Sequence, residues 1–314
     1  MKKKCLLIGG AGFIGKKLAM HLLSGGYDVT VLDRNCSSFT AEELEQVRYV
    51  EGDYFAQNYN YSSLKEQDIV ILLACSVTPK SSMETPLKCY EGDVASMICL
   101  LQQMREYDVR QLVLISSGGT IYGNNNVGSL TEDMQTYPLN HYGILKLTQE
   151  KILMMYNKLY NMENVAFRVA NPYGEGQMVS SGVGAVTAFL SNILSDKEIF
   201  IYGDGTVIRD YIYIDDVAEI IKRYLDMSVK EKEMPVYNIG TGKGCSMNEL
   251  IKIIEEITGK TAKVSYCDKR EIDVQCNILD SSRVFKAIGG YQCRSLYEGI
   301  SQYYKQILKL EKKG

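Results

Sequence analysis

Gly9-Gly-Ala-Gly12-Phe-Ile-Gly15 is a glycine pattern suited to holding phosphate. It follows a short apolar run and opens a segment with helical spacing. Glycines at 9, 12 and 15 let the backbone approach a pyrophosphate closely, and the first helical amides, on Phe13, Ile14 and Gly15, point at its charge. Asp33 follows 18 residues after Gly15, at the end of the next apolar run. A carboxylate there can accept both hydroxyls of an adenosine ribose and would repel a 2′-phosphate. The combination reads as a site for NAD over NADP, with Arg34 next door pulling the other way. After a third apolar run, Asp53 and Tyr54 fall where an adenine would lie.

Tyr142-Gly-Ile-Leu-Lys146 places a phenol and an ammonium at i and i+4, on one face of a helix. A free tyrosine ionises at about pH 10, and bringing it near 7 takes roughly 4 kcal/mol of phenolate stabilisation. An ammonium one turn away and a positive nicotinamide ring would supply it. The spacing alone is weak in a chain with 23 tyrosines. Its weight comes from Ile115-Ser-Ser-Gly-Gly-Thr-Ile-Tyr-Gly123, one strand earlier. That polar, glycine-rich loop sits at the C-terminal end of a strand, where doubly wound sheets bind ligands.

These residues need a scaffold. Cys5–Ile8, Asp28–Leu32, Arg48–Glu51, Ile69–Leu73, Gln111–Ser116 and Val165–Val169 read as strands, and Ile14–Ser24, Pro86–Tyr107 and Tyr142–Asn161 as helices between them. Such alternation gives α/β architecture, a doubly wound parallel sheet of the Rossmann type. After Pro172 the spacing predicts helices at Gly184–Ser195, Asp216–Met227, Met247–Thr258 and Ser295–Leu310, with short strands such as Glu198–Tyr202 and Val236–Ile239. We expect an NAD-binding domain over residues 1–171, with a return near 209–240. A smaller α/β substrate lobe would occupy most of 172–314.

Composition narrows the classes. In 314 residues, 46% are apolar and 23% charged, as in ordinary globular proteins. A net charge of −3 offers no basic excess for nucleic acid or an anionic membrane. The apolar run Ile69–Val77 is far short of the ~20 residues that span a bilayer. Met1-Lys-Lys-Lys-Cys-Leu-Leu-Ile mimics a secretory leader, but Gly9, Gly10 and Gly12 break it and no small-residue cleavage site follows. Nine cysteines without a CxxC pair, beside two histidines, predict no metal site and a reducing, cytoplasmic setting.

At this point the sequence resembles the extended short-chain dehydrogenase/reductases of the nucleotide-sugar epimerase/dehydratase family, and most resembles UDP-hexose 4-epimerases. Further matching segments are Phe167-Arg-Val-Ala-Asn171-Pro-Tyr-Gly174, Ile201-Tyr-Gly-Asp-Gly-Thr-Val-Ile-Arg209-Asp-Tyr211-Ile-Tyr-Ile-Asp-Asp216, Tyr237-Asn-Ile-Gly-Thr-Gly242, Arg270-Glu-Ile-Asp273 and Leu279-Asp-Ser-Ser-Arg283. The resemblance implies NAD as a tightly held cofactor, with Leu73, Ala74 and Cys75 beside it. It implies a UDP-sugar substrate, Tyr142 as base with Lys146, and epimerisation at C4 through a 4-keto sugar. Asn171, Arg209 and Arg270 would hold the diphosphate and ribose, with Tyr211 and Asp273 in the same set. Guanidinium forks suit phosphate; the competing reading for each arginine is an ion pair with Asp210 or Asp273. A homodimer through the Pro86–Tyr107 and Tyr142–Asn161 helices is also implied.

Two positions depart from the family. Gly118 stands where a Ser or Thr commonly polarises the C4 oxygen, which leaves Ser116, Ser117 and Thr120 as available hydroxyls, Thr120 favoured and Ser117 second. Asp93-Val94-Ala95 lacks the Asn of the usual "DVN". Dehydration would need acid/base groups where Gly119 and Thr120 stand, and 4-keto reduction would call for NADPH; a non-catalytic NAD sensor is the alternative from another class. Asn277, four residues after Asp273, corresponds to the position bordering the sugar's C2 substituent. Its short side chain predicts room for an N-acetyl group, with its amide hydrogen-bonded to the acetamido oxygen.

Overall fold

A computed structural model describes residues 2–56, 59–124, 128–178, 184–227, 235–269 and 274–311. Six strands alternate with helices in the first half: β1 (Lys4–Ile8), β2 (Asp28–Asp33), β3 (Arg48–Glu51), β4 (Ile69–Leu72), β5 (Gln111–Ser117) and β6 (Val165–Val169). The helices are α1 (Phe13–Ser24), α2 (Ala41–Leu44), α3 (Ser81–Glu84), α4 (Ala95–Glu106) and α5 (His141–Tyr160). Then come β7 (Asn171–Tyr173), α6 (Ala185–Leu194), β8 (Glu198–Tyr202), β9 (Ile208–Tyr213), α7 (Ile214–Asp226) and β10 (Val236–Ile239). The chain ends with β11 (Gly244–Ser246), α8 (Met247–Thr258), β12 (Lys263–Cys267), β13 (Cys276–Asn277), α9 (Ser282–Ala287) and α10 (Leu296–Glu311).

Seven strands form one parallel sheet in the order β10-β6-β5-β4-β1-β2-β3. Strand side chains alternate between faces, and here both faces are apolar. Cys5, Leu7, Ile69, Ile71, Val113 and Ile115 pack with Leu18 and Leu22 of α1 and with Val217, Ile220 and Ile221 of α7. Leu6, Ile8, Val70, Leu72, Leu112 and Leu114 pack with Met97, Leu100 and Met104 of α4 and Leu153 and Tyr156 of α5. A sheet buried on both sides reads as near-continuous apolar runs, which is why the strands are visible in the sequence. After the chain leaves at β7, α7 comes back onto α1 and β10 pairs with β6. The remaining strands form a four-stranded sheet, in which β9 pairs with β7, β11 and β13, and a two-stranded sheet of β8 and β12.

One helix differs from its expected span. The 86–107 segment is not one α-helix: a π-helical turn, Cys89–Val94, precedes α4. The wider turn puts Asp93, 1% exposed, under Ser76, whose N–H and hydroxyl both donate to its carboxylate. Wider turns of this kind concentrate at functional sites. Elsewhere the ends are set locally. Asn140 caps α5 through Gly143 N–H at 2.8 Å, and Asn161, at φ 52°, ends it.

Candidate active site

The glycine loop is built for close approach. Gly9 has φ +81°, and a Cβ there would meet Ala74 N at 2.7 Å. Gly15 is closed off by Gly9 O at 2.6 Å. Gly12 is exposed, and a Cβ there would touch nothing nearer than Gly9 O at 3.2 Å, so its outer side is open to a ligand. It is also the N-cap of α1 and offers no side chain to the first helical amides, on Phe13, Ile14 and Gly15. Asp33 stands beside this cradle: its Oδ2 accepts from Ala11 N at 2.9 Å and its Oδ1 from Arg34 N at 2.8 Å. Each oxygen keeps a lone pair for a ribose hydroxyl. Arg34 projects into solvent. Leu73 N and Ala74 N both donate to Ile8 O, fixing the end of β4 against the loop. These residues fit NAD.

Tyr54 does not sit as expected. It is buried in the core with Leu6, Ile8, Leu32 and Leu64, and its hydroxyl has no partner among the described residues. Asp53, which accepts Phe55 N at 3.0 Å, remains at the surface.

Tyr142 and Lys146 lie together at the start of α5, with Lys146 Nζ 5.6 Å from the Tyr142 ring centroid. Tyr142 and Cys75 pack against the same small apolar cluster. The Tyr142 N–H donates to Ser82 Oγ at 3.1 Å. Burial pushes the Tyr142 phenol up to about 12, with the Lys146 charge pulling it down. The Lys146 charge thus acts in the expected direction, and burial outweighs it in the protein without the nicotinamide ring. Burial pulls Lys146 down, but Cys75, Tyr142 and Asp93 together carry it above its ordinary value, so it stays an ammonium although 2% exposed.

The hydroxyl loop packs on the start of α5, which carries this pair. Gly143 packs on the loop so closely that a Cβ there would meet Thr120 O at 2.6 Å. Thr120 Oγ1 donates to Ser117 Oγ at 2.9 Å. Ser116 is removed from the candidates, because its hydroxyl donates to the buried Glu150 at 2.6 Å. Gly118 is explained by packing: a Cβ there would come 2.3 Å from Leu279 Cδ1.

The substrate-side residues are spread over β7, β9 and β13. Asn171 Nδ2 donates to Asp210 O at 2.8 Å, and its Oδ1 lies nearest to where a Gly119 Cβ would be, at 3.7 Å. Arg209 Nη1 donates to Ile208 O and Val274 O at 2.9 and 2.6 Å. Asp210 is fully buried and accepts from Thr241, Gly242 and Leu279. Tyr211 is a correction: 5% exposed, it gives its hydroxyl proton to Met247 Sδ and belongs to the lobe's core. Asn277 Nδ2 donates to Gly118 O at 3.0 Å. One N–H of that amide is used by the carbonyl, and Oδ1 is left buried without a partner among the described residues. Arg270 and Asp273 lie outside the described residues.

A network beneath the site was not anticipated. Glu150, two turns beyond Tyr142 on α5, is fully buried against Arg168 of β6, with Nη2 to Oε2 at 2.7 Å and Nε to Oε1 at 3.0 Å. Arg168 Nη1 donates to Tyr122 Oη at 2.9 Å, and Tyr122 donates to Asn238 Oδ1 at 2.7 Å. Two signals for it were present. Glu150 continues the i, i+4 series of Tyr142 and Lys146, and Arg168 is a charge inside an apolar strand, which requires a buried partner.

Comparison with known proteins places this geometry. The profile of the NAD dependent epimerase/dehydratase family matches residues 5–240. UDP-glucose 4-epimerase of Bacillus subtilis is 30% identical over 93% of this chain and 93% of the relative. The solved UDP-glucose 4-epimerase of Thermotoga maritima, with UDP-glucose, is 30% identical with TM-score 0.87, covering 97% of this chain and 99% of that one. The UDP-glucuronic acid 4-epimerase of Bacillus cereus, with UDP-glucuronic acid and NAD, is 26% identical with TM-score 0.87, covering 98% and 99%.

Proposed function

Because the chain belongs to the NAD dependent epimerase/dehydratase family, we propose that it interconverts the C4 epimers of a UDP-hexose or UDP-N-acetylhexosamine. The observation that carries this is the Tyr142–Lys146 pair at the start of α5, where Gly143 packs on the loop that bears Ser117 and Thr120, together with the glycine cradle and Asp33. NAD, when bound, supplies the acceptor and donor for the C4 hydride. Tyr142 takes the C4 hydroxyl proton at its phenolic oxygen and returns it. Lys146 stabilises the phenolate that Tyr142 must be before it takes that proton. The bonded hydroxyl pair of Thr120 and Ser117 steadies the C4 oxygen: Thr120 gives its proton to Ser117, which keeps its own for that oxygen. Arg209, Asn171 and Arg270 hold the diphosphate and ribose. Gly119 offers no group to abstract a C5 proton, which speaks against dehydration.

Incubation with UDP-glucose and NAD should yield UDP-galactose, read by chromatography of the sugar nucleotides; no second isomer from either UDP-glucose or UDP-N-acetylglucosamine would remove the reading. NAD should bind more tightly than NADP, and Asp33→Ala should weaken NAD and narrow the difference, because the ribose hydroxyls lose a charged acceptor. Equal wild-type affinities by calorimetry would overturn the role of Asp33.

The same reading includes a homodimer. Ile144, Met155 and Leu159 are exposed along one side of α5, a stripe at helical spacing that a second copy would cover. A single-chain mass in light scattering would remove it. All nine cysteines are free thiols, which supports a cytoplasmic setting. Among the described residues no helix is long and apolar enough to cross a membrane.

A further inference from the structure

Asn277 joins two parts of the molecule that bind different ends of a substrate. β13 pairs in parallel with β9 so that Asn277 stands opposite Arg209, and Arg209 in turn donates to Val274 O just before β13. The Asn277 side chain, 1% exposed, reaches out of this sheet to the carbonyl of Gly118. Gly118 lies inside the turn that carries Ser117 and Thr120. The amide's orientation is fixed because a carbonyl can only accept. Oδ1 is left buried without a partner among the described residues. Leu279 grips the same turn from the position a residue-118 side chain would fill. On the far side Gly118 N donates to Val169 O at 2.8 Å. The turn is thus held by the sheet beneath and by residues 277 and 279 above.

We propose that Asn277 is a positioning residue, which fixes the Ser117–Thr120 hydroxyl pair against Tyr142 and ties that turn to the strand bearing Arg209. The inference rests on the roles assigned above to those hydroxyls and to Arg209. Energy from holding a diphosphate at β9 then helps to order the turn where the proton moves, as expected when remote binding is used at the reacting centre. Asn277 acts here through its bond to Gly118, not by setting the width of the pocket.

Asn277→Leu keeps the volume and removes the bond. Stability should fall only modestly, because loss of the unpaired Oδ1 offsets part of the cost of leaving the buried Gly118 carbonyl without a donor. Peptide 117–123 should exchange its amide hydrogens several-fold faster, while α5 stays unchanged, since the turn alone loses a tether. In wild type UDP should slow exchange in 117–123, and in the variant it should not. With an active enzyme, kcat should fall about 10-fold or more, equally for UDP-glucose and UDP-N-acetylglucosamine and with KM nearly unchanged, because a misplaced catalytic group costs rate at small displacements. Unchanged exchange in 117–123 overturns the proposal whether or not the protein is an epimerase. So does a change confined to the ratio of the two sugars, or a loss of kcat that merely follows a fall in Tm. Faster exchange in a wild-type background that converts neither sugar would instead remove the proposed function. Asn277→Ala, measured the same way, serves if the leucine variant does not fold.

Discussion

Tyr142→Phe should lower turnover by ~10²-fold or more, the usual size of a lost general base, with Tm and NAD affinity near wild type. The ring is held by neighbours that the substitution leaves in place. The Tyr142 N–H stays on Ser82, Gly143 stays against Thr120 O, and the ring still packs beside Cys75. Only the phenolic oxygen goes. Turnover within a factor of a few of wild type would exclude Tyr142 as the proton acceptor. Lys146→Met should act through the same atom. Burial already pushes the phenol up to about 12, and Lys146 is the group that opposes it. Without the ammonium the phenolate is harder to form, so the rise of kcat/KM with pH moves to higher pH. An unmoved profile would separate Lys146 from the ionisation of Tyr142.

The parallel sheet was legible because its strands are buried on both faces and its helices expose regular apolar stripes. Glu198–Tyr202 and Val236–Ile239 likewise stand as the sequence reads them. What escaped was structure made by polar side chains. β13 is two residues long and has no periodicity to detect. The π-helical turn at Cys89–Val94 changes only how many residues fill one turn, which apolar spacing does not register. Tyr54 and Tyr211 sit in or beside motif segments, yet their burial depends on residues far away in sequence: Leu6 for one and Met247 for the other. Tyr142, Lys146 and Asp33 could be singled out as candidates because the chemistry proposed for them depends on local spacing. The partner of Arg168 was not, since β6 and α5 meet only in the folded chain.

That partner is the reason Glu150→Ala should be the most destabilising single change of those considered. The two side chains are 0% and 5% exposed and hydrogen-bonded through both carboxylate oxygens. Removing one leaves an uncompensated buried charge, at a cost of about 3–5 kcal/mol. In a chain of this size that lowers Tm by roughly 10 °C. Ser116 loses its acceptor in the same step. Replacing both residues by apolar ones, Glu150→Leu with Arg168→Met, removes the buried charge altogether, and stability should return most of the way. Activity should not return with it. Arg168 also tethers Tyr122, two residues after Thr120, and the double variant takes one of the anchors from that loop, leaving Tyr122 held by Asn238, while α5 keeps its apolar seat on the sheet. A double variant as unstable as Glu150→Ala would mean that the pair contributes net stability itself. One with both stability and kcat restored would mean that the network does not hold the loop.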